Sequence, residues 1–214
     1  MSKLKSVLVI DAGIGNVGSV LAALSRHQCS IYRHSTPPLD IDAYTHVVLP
    51  GVGAFTAGIE ALEARGWASW LLNEWCALNR PLLGICLGMQ LLATEGVEGQ
   101  VSGQSLIQGL GLIPGKVLRM PSSNKLVLPH VGWNDLHWFN NDHPLTLGIP
   151  EGGDMYFVHS YSFRPEKSEN YLAWSSYGEK FAAVVGNGNC LGVQFHPEKS
   201  QRLGRKLLDN FLCI

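Results

Sequence analysis

The chain has 214 residues, 46% of them hydrophobic and 15% charged, and 16 Lys+Arg against 17 Asp+Glu give a formal net charge of −1. This length fits one sizeable domain or at most two small ones, and the apolar fraction excludes global disorder. The charge balance removes the usual electrostatic case for a nucleic-acid or acidic-membrane binder, and no apolar run approaches the ~18 residues of a membrane span.

Ser6 to Ile10 reads as a buried strand, and its run Val7-Leu8-Val9-Ile10 is too short for a secretory signal core. Val17, Val20, Leu21 and Leu24 then recur at helical spacing, with Asn16 placed to cap the helix. Ser30 to Arg33 and Thr45 to Leu49 are the next strands, the second running into Pro50-Gly51-Val52-Gly53. Trp67, Trp70, Leu71, Trp75 and Leu78 mark an amphipathic helix that Pro81 stops. Leu82 to Ile85 is a strand leading into Gly84-Ile85-Cys86-Leu87-Gly88 and an apolar helix through Leu92. Such alternation predicts an α/β fold with an open, mostly parallel sheet and flanking helices.

The second half differs. Gly115 to Met120, Met155 to Val158, Ala182 to Gly186 and Cys190 to Phe195 resemble strands joined by short turns, with Asn187-Gly188 as a two-residue hairpin turn. Leu203, Leu207, Leu208 and Phe211 form a closing amphipathic helix. With no repeat, low-complexity tract or linker, residues 1–214 read as one domain with an antiparallel portion.

Three motifs compete for the function. Gly13-Ile14-Gly15-Asn16-Val17-Gly18 matches the dinucleotide fingerprint G-x-G-x-x-G. That fingerprint also needs a carboxylate about 20 residues on, at the end of the second strand. Here the strand ends Ile31-Tyr32-Arg33-His34; Arg33 could meet a 2′-phosphate, but a tight glycine turn is the preferred reading. Gly84-Ile85-Cys86-Leu87-Gly88 has the G-x-nucleophile-x-G form, in which small flanking residues permit a strained strand-to-helix turn. A thiol there sits at a helix N-terminus, where the dipole favours thiolate; the competing reading is a buried small hydrophobe. In Gln194-Phe195-His196-Pro197-Glu198, Pro197 makes His196 extended, so Glu198 can reach one ring nitrogen and leave the other for a nucleophile. A lone His-Pro-Glu is more often a surface turn, and its weight comes from coexisting with Cys86.

Five cysteines without a C-x-x-C pair argue against a disulfide framework or a thiolate zinc site and predict a cytoplasmic home; Cys29, Cys76, Cys190 and Cys213 read as packing residues. No metal site is expected, because the spacing of His130, His137 and His143 matches no ligand pattern and His34, His46 and His159 stand apart. Trp133, Trp138 and Tyr156 read as packing or pocket walls, since no basic stripe accompanies them.

With the Cys86 and His196 motifs in this order, the chain resembles the class I (triad-type) glutamine amidotransferases. The match sharpens with Asp11-Ala12-Gly13-Ile14-Gly15-Asn16, Pro50 to Phe55, Pro129-His130-Val131-Gly132-Trp133-Asn134, Tyr156-Phe157-Val158-His159-Ser160-Tyr161 and Gln194 to Ser200. Within the family these are similar to the glutaminase subunits of imidazole glycerol phosphate synthases, from histidine biosynthesis. Ala12 stands where many relatives carry an aromatic, and the polar, Gly-rich stretch Gly99 to Gln108 makes the Glu98 match depend on an ungapped count from Cys86.

The resemblance implies hydrolysis of glutamine through a Cys86 thioester, with His196 as base and acid and Glu198 as its orienter. It implies oxyanion donors at the N–H groups of Val52 and Leu87, and a glutamine pocket of Gly51, Gly53, Gln90, Glu98, His159, Ser160 and Tyr161, the last three largely through backbone. It implies no cofactor. Free ammonia in neutral water is mostly protonated, so it must travel a shielded path. The domain leaves no room for a second catalytic unit, so the resemblance implies a heterodimer with a separate cyclase, built as a (β/α)8 barrel, with Asn16 and Lys199 near the interface. It places the activity among hydrolases and lyases. A paralogous role in amidino-sugar synthesis and a non-catalytic regulatory role on the same fold stay open at this level.

Overall fold

A computed structural model describes residues 4–100, 105–123, 126–139 and 142–214. Residues 101–104, inside the polar Gly99 to Gln108 stretch, lie outside the described residues. In chain order the elements are β1 (Lys5–Ile10), α1 (Val17–Leu24), β2 (Cys29–His34), β3 (His46–Gly51), α2 (Phe55–Ala64), α3 (Trp67–Trp70), β4 (Leu82–Cys86) and α4 (Leu87–Leu91). There follow β5 (Glu95–Gly96), β6 (Ile107–Gln108), β7 (Gly115–Arg119), β8 (His130–Trp138), β9 (Gly153–His159), β10 (Tyr161–Pro165), β11 (Tyr171–Tyr177), β12 (Glu179–Asn187), β13 (Cys190–Val193) and α5 (Gln201–Phe211).

Among the described residues, nine strands form one sheet in the order β2-β1-β3-β4-β13-β12-β11-β8-β9. The pairs from β2 to β13 are parallel, and those from β13 to β9 are antiparallel. The α/β class holds, and the antiparallel portion continues the parallel half within the same sheet. A second sheet, β10-β7-β5-β6, lies beside it.

Both faces of the parallel half are covered because alternate side chains on a strand point to opposite sides. On β1, Val7 and Val9 join Val17, Val20 and Leu24 of α1 and Leu207, Leu208 and Phe211 of α5. Leu8 and Ile10 join Phe55, Ile59 and Leu62 of α2 and the tryptophans that follow. Each fully buried aliphatic or aromatic side chain here contributes roughly 1.5–3 kcal/mol relative to exposure. Asn16 caps α1 as expected, its Oδ1 accepting the Ser19 N–H at 3.3 Å.

Several elements depart from the sequence reading. The tryptophan-rich helix is α-helical only over Trp67–Trp70, then passes through a π turn at Leu71–Trp75 and a 3-10 turn at Cys76–Leu78. The wider π turn brings side chains five apart together, and Trp70 stacks on Trp75 with centroids 5.5 Å apart. The hairpin is shifted by one residue: Asn187 pairs with Cys190, so Gly188 and Asn189 make the loop, and Gly188 takes the positive φ of 58°. Helix α2 and strands β8, β10 and β11 carried no local signal strong enough to be predicted. Of the four cysteines assigned to packing, Cys213 is exposed, and Cys76 and Cys190 line one small cavity. No helix among the described residues is long and apolar enough to cross a membrane.

Candidate active site

Strands β3 and β4 end side by side, with Gly51 opposite Cys86 in the register, and β13 feeds Gln194 and His196 to the same end of the sheet. Carboxyl ends of parallel strands are where α/β folds place their sites. The turn from β4 into α4 gives Cys86 a φ of 54° and ψ of −109°, a strained backbone for a residue with a side chain. Close packing imposes it: a Cβ on Gly88 would lie 1.8 Å from the Leu49 carbonyl oxygen, and one on Gly84 would lie 2.6 Å from that of Gly88. The two glycines are therefore a steric requirement of the nucleophile turn.

The Cys86 thiol donates to the Val158 carbonyl at 3.7 Å, and His196 stands on the same cavity wall, near enough for Cys86 to raise the imidazole pKa. Its Nδ1 donates to Glu198 Oε1 at 2.7 Å, and both side chains are buried. Glu198 belongs to a 3-10 turn, Pro197–Lys199, where the sequence predicted extended chain; the contact forms all the same. The backbone N–H of His196 donates to the Tyr156 carbonyl, and Ser200 Oγ donates to the His196 carbonyl, fixing the turn. Burial alone would lower the His196 pKa, but the hydrogen bonds and charges of Cys86 and Glu198 outweigh it and raise the imidazole to about 9. Helix α4 has only five residues, so the positive charge facing the sulfur comes from this imidazolium more than from a helix dipole.

A cavity of about 280 Å³ opens at this point, lined by Val52, Gly53, Cys86, Leu87, Gln90, Glu98, His159, Ser160, Tyr161, His196 and Lys199, with Pro129 and Val158. Every expected catalytic, oxyanion and pocket residue except Gly51 and Glu198 is on its wall. Glu198 stands behind His196, and Gly51 sits directly behind the wall, packed on Gly88 and Leu87. Glu98 reaches the cavity while its Oε2 accepts the Phe55 N–H at 3.0 Å, capping α2. Burial raises its pKa, partly countered by that bond. Lys199 Nζ stands 5.7 Å from the Tyr156 ring centre, at the cavity wall. Asn16 is exposed outside the cavity, where its side chain serves α1.

One expectation needs correction and two are narrowed. The Val52 N–H is bound to the Ile14 carbonyl at 2.6 Å, so in this conformation it offers nothing to an oxyanion. Both N–H groups of the Gln90 amide are taken, by the Tyr161 carbonyl and by Gln194 Oε1 at 3.0 Å each, so only its oxygen can serve a ligand. The Tyr161 carbonyl is filled by Gln90 and His159, whereas the Ser160 carbonyl accepts the Met120 N–H and keeps a second lone pair. Leu87 opens α4, where the first N–H groups have no intrahelical acceptor.

The Gly13 to Gly18 loop is a turn, as preferred. Arg33 Nε donates to Asp11 Oδ2 at 2.8 Å, so it is held within the protein, and Ile14 supports the Pro50 to Gly53 loop. Sequence reasoning missed Gln194, whose Nε2 lies 3.9 Å from the Cys86 sulfur. Its signal was a polar residue at the end of a strand that is otherwise apolar.

Residues 8–214 match the family model described as "Glutamine amidotransferase class-I". The chain is 54% identical over 210 residues to the imidazole glycerol phosphate synthase subunit HisH 1 of Prochlorococcus marinus, covering 97% of each chain. It is 43% identical over 211 residues to the HisH subunit of Methanosarcina barkeri, covering 98% of each. Among solved structures, PurLQS from Thermotoga maritima superimposes with a TM-score of 0.73 at 22% identity and 99% coverage of both chains. A glutamine amidotransferase from the same organism gives 0.67 at 16% identity, covering 98% of this chain and 99% of that one. These last two likenesses concern the fold, whereas the sequence matches span almost the whole length and include the nucleophile turn and the His-Pro-Glu segment: the chain belongs to the class-I glutamine amidotransferase family.

Proposed function

We propose that this protein is the glutaminase subunit of an imidazole glycerol phosphate synthase, supplying ammonia for histidine biosynthesis. The observation that carries the chemistry is the strained Cys86 on one cavity wall with His196, itself oriented by Glu198 at 2.7 Å. The pathway rests on the HisH relatives, at 54% and 43% identity over nearly their full length.

In this reading the Cys86 thiolate attacks the side-chain amide carbon of glutamine, and the resulting oxyanion meets the Leu87 N–H. The carbon–nitrogen bond breaks as His196 gives its proton to the leaving ammonia, leaving a thioester. Water then attacks, His196 takes its proton, and glutamate leaves as the sulfur is released. Glu198 holds the imidazole through Nδ1 in both halves. Glu98, with its raised pKa and cavity-facing position, receives the substrate's α-amino group. This is amide hydrolysis by a single nucleophilic centre, so the expected lyase label does not describe this subunit. The synthase chemistry falls to a partner, a (β/α)8-barrel cyclase in a heterodimer, with Asn16 and Lys199 facing it. Five free thiols support a cytoplasmic location.

Labelling tests the nucleophile. A glutamine-like electrophile such as a diazoketone analogue is expected to modify Cys86 saturably, with glutamine protecting it. Modification spread over other cysteines, or indifferent to glutamine, would sink the assignment. The imidazole sets the alkaline limit. Its pKa is raised to about 9 in the fold, so the imidazolium that faces the sulfur is present below that value and lost above it. Glutamate release by the complex is expected to fall about tenfold per pH unit above about 9, and a profile that stays flat well beyond that point would contradict this arrangement.

A further inference from the structure

Resting on Cys86 as the nucleophile, we propose that Gln194 is a further catalytic residue, an amide N–H donor to the reacting sulfur, and that the Tyr161 carbonyl fixes its orientation through Gln90. Gln194 is fully buried and its Nε2 lies 3.9 Å from Cys86 Sγ. A primary amide has a donor end and an acceptor end, so the sign of this contact depends on which way the amide points. Here the choice is made by a group that has no alternative. The Tyr161 carbonyl can only accept, so Gln90 must present its nitrogen, at 3.0 Å. The second N–H of that nitrogen then meets Gln194 Oε1, also at 3.0 Å. With its oxygen so held, Gln194 turns its own N–H groups toward the sulfur, where they stabilise the anion before attack and on release of glutamate.

The same carbonyl anchors a second arm. It accepts from His159 Nδ1 at 2.9 Å. Burial lowers the His159 pKa to about 3 and that of His130 to about 4, so both rings are neutral and each has one donor and one acceptor nitrogen. His159 Nε2 therefore accepts from His130 Nδ1 at 3.0 Å, and His130 Nε2 accepts from Asn134 Nδ2 at 3.3 Å. The other Asn134 N–H is anchored on the Ser176 carbonyl at 2.8 Å. Every donor in the chain has one acceptor, which holds the Tyr161 carbonyl in place. His159, His130, Asn134 and Gln90 are positioning residues.

The test is the pH dependence of Cys86 alkylation by iodoacetamide on the full chain, read from the mass of the Cys86 peptide. Gln194→Met keeps the length of the side chain and removes the donor. In that variant alkylation at neutral pH is expected to slow about tenfold, with the profile moved to higher pH by about one unit. Gln90→Met releases Gln194 to turn and is expected to move the profile the same way by less. A folded Gln194→Met chain with a profile superimposable on the wild type overturns the proposal. If that variant fails to fold, Gln90→Met decides on the same criterion. Failure of the glutaminase reading would show separately, as wild-type alkylation that glutamine does not slow.

Discussion

Replacing Cys86 by Ala is expected to lower glutamine-dependent synthesis by the complex by about 10⁴-fold or more, because a nucleophile of this kind has no partial substitute. Its neighbours on the cavity wall cannot take over. His196 is held by Glu198 through Nδ1 on the cavity wall it shares with Cys86, and the other wall residues offer no thiol. The substitution is mild for the fold: Cys86 is only 7% exposed, loses one sulfur, and Ala bears the same φ of 54° no worse than Cys. The chain should therefore still dock on its partner. Supplied with ammonium salts at alkaline pH, the Cys86→Ala complex is expected to make product at the wild-type rate, since free ammonia then reaches the acceptor without the glutaminase. Loss of both activities would indicate a structural role for Cys86. Retention of the glutamine-dependent rate would remove it from the chemistry altogether.

That Cys86, His196 and Glu198 could be singled out from one sequence reflects how local the determinants of their turns are. Gly84 and Gly88 are required by contacts in and beside the turn itself, and Pro197 shapes the chain immediately after His196. The parallel half was legible for a similar reason, since β3, β4 and β13 are buried along their whole length and read as unbroken apolar runs. What escaped depends on distant partners. Helix α2 has Ala54 at its N-cap, with no side-chain cap of its own, and is capped by Glu98, 43 residues beyond Phe55 in the chain. Strand β8 mixes His, Asn and Asp with Trp because its polar side chains are satisfied along the strand and by the neighbouring strands, so its alternation is hidden. The roles of Gln90 and Gln194 could not be assigned from spacing, since the Tyr161 carbonyl decides which end of each amide is used.

The second large effect concerns Val52. A donor tied to the Ile14 carbonyl at 2.6 Å cannot also stabilise an oxyanion beside Cys86, so the site is left with the donors of α4. Rotation of the Gly51–Val52 peptide would free the N–H for the cavity. That rotation turns ψ of Gly51 and φ of Val52, and a glycine at 51 widens the backbone angles open to the first of these. The cost is one hydrogen bond, about 1 kcal/mol, and the gain of a second oxyanion donor is about 10²–10³ in turnover. The competing acceptor lies in the Gly13 to Asn16 loop, whose Gly13 and Asn16 are exposed, so a partner seated there can move Ile14 and release Val52. Glutamate release by the isolated chain is therefore expected to rise by about 10²–10³ when the partner subunit and its ligand are added. In Val52→Pro, which has no N–H to offer in either orientation, that stimulated rate should drop by the same factor, bringing the ratio of stimulated to resting rate toward one. Partner binding, followed by calorimetry, should persist in the variant. If Val52→Pro were stimulated as fully as the wild type, the second donor would have to be sought elsewhere on the cavity wall.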